Sequence, residues 1–257
     1  MPLDANIDTN EAKLIAALTS VDKRIESLVA ALASDGNGRF LSDSIAIEQA
    51  INVRKDISVA MLEYNLVASD VSTSLDGAAK IARADYAAIG IDSAFSESDA
   101  SLIQAMTDNT YNNMIAYGDA ATASMSEAVL NSVAAGGSKA DAMLIVQQMT
   151  LGKTAANGKP LLNYATTIAE TAYMETHSTA TLALADDAGV THWKYSGTLV
   201  RDSRPWCVSH LNKTYNKEEI QAWNNSTWAG KKAGDPFITR GGWNCRHRFQ
   251  PTLEGIE

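Results

Sequence analysis

Cysteine is scarce in this chain of 257 residues, with two, Cys207 and Cys245, and tryptophan is absent from its first 190 residues. So few cysteines exclude a disulfide-stapled secreted scaffold. In a reducing compartment they read as free thiols or metal ligands, and a Cys207 to Cys245 bridge stays open only for a protein that ends outside a cell. Long apolar runs are also missing. None approaches the roughly eighteen residues that a membrane span requires, so no span is expected. The opening stretch MPLDANIDTNEAK is acidic and polar and lacks the basic, then apolar order of an export signal. It predicts a protein made in a cytoplasm-like compartment. The phosphate-loop spacing G-x-x-x-x-G-K-[ST] is absent too, which sets aside the GKT at 152–154 as a nucleotide cradle.

What remains is 46% hydrophobic, the content of a chain that folds around a core. Its net charge of -9 is unevenly spread: residues 1–190 carry 11 Lys and Arg against 24 Asp and Glu, and residues 191–257 carry 10 against 6. The last 67 residues also hold all five tryptophans, both cysteines and three of the four histidines. Composition therefore proposes a boundary near residue 190.

From Asn10 to about Ala33, Leu14, Leu18, Val21, Ile25, Leu28 and Leu32 recur in steps of four and three, one narrow stripe on a helix. DGNG at 35–38 stops it, and a second helix begins after Ser42 or Asp43 with Ile57, Met61, Tyr64, Ala68, Val71 and Leu75 in the same rhythm. The two predict a long helical hairpin. A third helix is expected from Ser96 or Ser98 toward Val129, with an interruption at Gly118. Ser138 and Asp141 predict a capped helix over 139–149, and another follows over 161–188. THWKYSGTLV reads as a strand, a short helix is expected near 217–223, and ITRGGWNCRHRFQP reads as a hairpin-like close. The fold class is α+β: a mainly helical N-terminal region with a small mixed C-terminal domain.

The chemistry sits in that last part. Cys207-x-x-His210 and Cys245-x-His247 are two thiolate and imidazole pairs, each short enough to come from one turn, and four such ligands suit tetrahedral zinc. The competing reading makes the cysteines buried small hydrophobes and the histidines ordinary hydrogen-bonding side chains. Asp202 can also pair with Arg201, Arg204 or Arg246 to fix the turns. Trp193, Trp206 and Trp243 read as core plugs in preference to stacking platforms.

The order Asp202, Arg204, Cys207, His210, Asn212-Lys213, then Ile220, Gly241-Gly242, Asn244, Cys245, Arg246, His247 and Pro251 resembles the signature of the Mu F-like minor head proteins of tailed bacteriophages, the head-morphogenesis family. The segment at 168–197, IAETAYMETHSTATLALADDAGVTHWKYSG, is similar to the helix and strand that precede it there. The resemblance spans residues 135–252. Where many members close with C-R-C this chain has C-R-H, and Lys213 replaces a glycine. Exchange of thiolate for imidazole is one that metal coordination tolerates.

The resemblance implies a helical assembly region at 1–134 and a head-morphogenesis region at 135–257, with its Cys/His subdomain at 190–257. It implies a non-enzymatic minor structural protein of the virion head, made in the host cytoplasm. Its expected partners are the portal protein during procapsid assembly, capsid or scaffold proteins, and double-stranded DNA during packaging or ejection. The alternative is a zinc-organised DNA-binding protein or nuclease. ADP-ribosylating activity, found among similar phage proteins, is not expected. Ser72-Thr73-Ser74 falls in a helical stripe, and no E-x-E or Q-x-E occurs.

Overall fold

A computed structural model describes residues 3–152 and 160–253. The fold is α+β. Seven helices come first: α1 (Leu3–Ala31), α2 (Ser44–Ala60), α3 (Leu62–Thr73), α4 (Leu75–Ala88), α5 (Glu97–Ala134), α6 (Lys139–Thr150) and α7 (Leu161–Ala188). Then come β1 (His192–Ser196), α8 (Pro205–His210), β2 (Thr214–Asn216), α9 (Lys217–Gln221), a 3-10 turn, α10 (Pro236–Thr239) and β3 (Arg248–Pro251). Lys153 and Thr154 of the GKT element lie outside the described residues.

The chain divides into two compact units made of interleaved segments. One comprises Met1–Asp8, Ser72–Thr110 and Thr167–Glu257, the other Thr9–Val71 and Tyr111–Thr166. The sequence reading instead divides the chain linearly at residue 134.

In the second unit the predicted hairpin is present, with α1 antiparallel to α3: Lys13 pairs with Asp70 at 3.5 Å and Ser20 donates to Glu63 at 2.8 Å. The buried stripe of α1 runs Leu14, Leu18, Val21, Ile25, Val29, Leu32. Val29 takes the place expected for Leu28 because an unsupercoiled helix has a period nearer 3.6 than 3.5, and the stripe drifts by about 20° per heptad. Asp35 stops the chain by accepting the backbone N–H groups of Asn37 and Arg39, each at 2.9 Å, and Asp43 caps α2 by accepting from Ala46 at 2.8 Å. The second helical run is interrupted at Met61 and Ser74. Both keep right-handed helical dihedrals, and Met61 still donates to the Ile57 carbonyl at 3.0 Å and accepts from the Asn65 N–H at 3.1 Å, so the chain runs on without a turn.

Gly118 does not interrupt α5. A side chain there would meet the Tyr64 ring at 2.7 Å, so the missing Cβ admits that ring against the helix backbone, where its hydroxyl donates to the Met114 carbonyl at 2.9 Å. Ser138 caps α6 as expected. α6 lies along α1, with Lys139 Nζ on the Ala30 carbonyl at 2.7 Å and Thr150 donating to the buried Asp22 at 2.5 Å.

In the first unit the sheet is antiparallel in the order β2-β1-β3. The expected hairpin close does not form: β3 pairs with β1, more than fifty positions away, because β1 alternates and turns Trp193 and Tyr195 into the core, where Phe249 of β3 meets them. Around these pack Tyr86, Leu184, Ile220, Trp223 and Phe237. Each buried aromatic contributes about 2 to 3 kcal/mol of transfer free energy. This core holds α7 against the segments that carry the cysteines.

Candidate metal centre

Tyr195 is the centre of the construction. Its position on the middle strand fixes its phenol inside the protein, with the hydroxyl 3.7 Å from Cys207 Sγ and 3.4 Å from Cys245 Sγ. Cys207 comes from the first turn of α8, entered through Pro205, whose fixed φ suits that position. Cys245 and His247 come from the loop that leads into β3, and His247 stacks on the Tyr195 ring at 5.3 Å.

The two motif halves meet. Cys207 Sγ, Cys245 Sγ and a ring nitrogen of His247 all lie within 4.8 Å of one another, and the three residues are 1, 2 and 4% exposed. The group can hold a metal ion: two sulfurs and an imidazole are the donor set of a borderline-soft divalent cation. Both cysteines are free.

His210, the expected fourth ligand, is not part of the group. Its Nδ1 lies 2.7 Å from the Trp206 carbonyl, and its ring stacks on Trp206 at 4.1 Å and meets Trp223 at 5.0 Å. On a helix, residues four apart are closer in angle than residues three apart. The imidazole therefore follows Trp206 and turns away from Cys207.

The two thiols share charge unequally. Hydrogen bonding with Cys207 holds the Cys245 thiol well below its usual value despite burial, helped by His247, the Arg240 charge and the Tyr195 hydroxyl. The same bond, with burial and the Cys245 charge, pushes Cys207 up. The thiolate is the form that binds metal, and the surroundings of Cys245 favour it. Arg240 itself is fully buried and was not singled out by any spacing signal. Its Nη1 donates to the Met174 carbonyl and to Ser178 Oγ, each at 2.8 Å, while Nε and Nη2 have no partner among the described residues.

The glycine pair of GGWNC is a packing requirement. Gly241 lies against both sulfurs, and Gly242, at φ 97, has the Gly230 carbonyl oxygen where its side chain would be. Trp243 donates its N–H to the same Gly230 oxygen at 3.0 Å, which keeps the two backbones together.

Asp202 pairs with Arg201 at 3.3 Å, but both side chains are exposed, so the pair is solvated and contributes little. Arg246 turns instead to Glu170 of α7 at 3.1 Å and Asp8 of α1 at 2.6 Å. Arg204 Nη2 donates to the Trp243 carbonyl. Trp193 and Trp206 are plugs, the first in the core and the second stacked on Trp228 at 4.0 Å, whereas Trp243 is 38% exposed with Lys232 over its ring.

The three donors line a cleft of about 650 Å³ whose walls include Asp4, Asp8, Glu170, Asp202, Arg204 and Arg246. No helix among the described residues is long and apolar enough to cross a membrane. No family model matches the chain, and no curated protein or solved structure matches it.

Proposed function

We propose that this chain is a minor structural protein of a tailed-phage head, a Mu F-like head-morphogenesis protein that joins the portal during procapsid assembly, and that Cys207, Cys245 and His247 hold zinc as a clip. The observation that carries the reading is the convergence of the motif's two halves. Residues that are 38 positions apart in the sequence meet through Cys207 and Cys245, and Gly241 and Gly242 are the residues that let them approach. A signature whose parts serve one fastening is a folding unit, which is what an assembly protein requires.

The charge distribution favours assembly over the DNA-binding or nuclease alternative. The basic tail engages four of its ten cations internally, which leaves fewer for phosphate: Arg246 on Glu170 and Asp8, Arg248 on Asp85, Lys232 on Glu175, with Arg240 buried. Phosphate binding needs free cations. The helical part supplies surfaces for portal, capsid or scaffold helices, and the proposed location is the virion.

Co-purification with portal and scaffold proteins from infected cells, with mass spectrometry of purified particles, tests the reading. Recovery in particles at low copy number is expected. Recovery only as free protein, never with particles or portal, overturns it.

A further inference from the structure

Three sides of the Cys207 and Cys245 sulfurs are closed. Tyr195 is fully buried in the aromatic core and presents its hydroxyl to both sulfurs. Gly241 abuts them so closely that even a methyl group would not fit. His247 takes the third side, with Nδ1 3.7 Å from Cys245 Sγ. What is left is the cleft, which all three donors line and which Tyr195 does not.

No fourth His, Cys, Asp or Glu among the described residues joins the group. His210 is held in the aromatic cluster by its carbonyl contact and its stack. His247 is buried, lines the cleft, and has no hydrogen-bond partner for Nε2 among the described residues. A closed structural zinc site has four protein ligands, and a site with three keeps a position for something else.

From this geometry we infer that the centre is open: its fourth coordination position faces the cleft and takes a neutral donor from outside the site, for which free imidazole is the probe. The inference rests on the metal-clip reading above and deepens it.

Charge selects the class of donor. A divalent cation with two thiolates and a neutral imidazole carries no net charge. The cleft wall adds four carboxylates, Asp4, Asp8, Glu170 and Asp202, against the two guanidinium groups of Arg204 and Arg246. Arg246 is already occupied by Glu170 and Asp8, and Arg204 by the Trp243 carbonyl. An anion entering the cleft meets net negative charge, since four carboxylates face two guanidinium groups of which only Arg204 lacks a carboxylate partner among the described residues, whereas a neutral donor meets no such cost.

The test uses the full-length protein loaded with Co²⁺, whose visible bands and sulfur-to-metal charge transfer report coordination. One equivalent of Co²⁺ should bind and give a thiolate spectrum. Titration with free imidazole should then shift the visible bands saturably, with the metal retained, and azide at equal concentration should shift them less. His210→Ala should give the same spectrum and the same shift. A protein that takes up no Co²⁺ overturns the clip reading and this inference together. Binding of Co²⁺ with bands that do not respond to imidazole, or a spectrum that changes in His210→Ala, leaves the clip standing and overturns the open position. A stronger response to azide overturns the choice of a neutral donor.

Discussion

A methyl group placed on Gly241 would come within 2.5 Å of Cys207 Sγ and 2.7 Å of Cys245 Sγ. The backbone of one motif half is thus in contact with the sulfur of the other, and the fastening has no slack. Gly241→Ala should spread the two sulfurs, costing about 1 to 3 kcal/mol as overpacking does, and should weaken metal uptake. Gly242→Ala should cost more, because its side chain would strike the Gly230 carbonyl rather than a movable group. Thermal melts with metal titration check both, and a Gly241→Ala protein with unchanged metal affinity would contradict the contact.

Metal content separates the proposed ligands from their neighbour. Cys207→Ser, Cys245→Ser and His247→Ala should each lose stoichiometric zinc, and a chelator should lower the melting temperature of the parent protein but not of these variants. His210→Ala should keep its zinc. It should still lose about 1 kcal/mol of stability, the value of an aromatic stack, since Trp206 and Trp223 lose their partner. Zinc lost from His210→Ala would restore the four-ligand arrangement expected from spacing.

A second histidine predicts pH dependence away from the candidate metal centre. His177 is fully buried in α7 with Nε2 3.3 Å from Asp85, and Arg248 approaches the same carboxylate at 3.6 Å. Burial lowers its pKa, more than Asp85 raises it, and the charges of Arg248 and Arg240 lower it further. As pH falls below about 6.5, the ordinary histidine value, the unfolded chain takes up a proton that the folded chain refuses. Stability from this group is therefore full above that pH and declines below it, by at most about 1.4 kcal/mol per pH unit. Chelator-treated protein should melt at lower temperature at pH 5.5 than at pH 7.5, and His177→Asn should flatten that difference.

The filter-binding behaviour of the full chain follows from the ion pairs. With Arg246, Arg248 and Lys232 paired to carboxylates outside the tail, double-stranded DNA should not be retained even at low salt. Retention that falls steeply with salt would favour the DNA-binding alternative.

Periodicity made the helices legible. The stripes at 14–32 and 57–75, the turn at 35–38, the Ser138 cap and the full extent of α7 all follow from local signals that the sequence carries in plain order. The pairing of β3 with β1 is non-local, and no spacing rule reaches across more than fifty residues. In the site, the meeting of Cys207, Cys245 and His247 was readable because candidate metal donors are few in type. His210 misled because a C-x-x-H spacing says nothing about which neighbour the imidazole prefers, and Trp206 lies one residue nearer the start of the same helix. Tyr195 and Arg240 carry no such signal. Tyr195 is visible only as an inward position of an alternating strand, and Arg240 only once the loop around it is folded. The interleaved units were hidden because α1, α3, α5 and α7 each contribute residues to both, so no break in composition marks the change.

Gly118 offers the sharpest check on the helical part, because propensity and packing predict opposite signs. On an exposed helix Gly→Ala stabilises by about 1 kcal/mol. Here the new methyl group would meet the Tyr64 ring at 2.7 Å, and Tyr64 is fully buried with its hydroxyl tied to Met114. Gly118→Ala alone should therefore destabilise, by about 1 to 3 kcal/mol, as forced overpacking does. In a Tyr64→Leu background, itself destabilised by lost packing and the lost hydrogen bond, the same change should become neutral or stabilising. The coupling between the two positions, read from urea unfolding of the four proteins, should exceed about 1 kcal/mol. Additive effects would mean that the ring does not rest on the glycine, and that Gly118 is in the helix for some other reason.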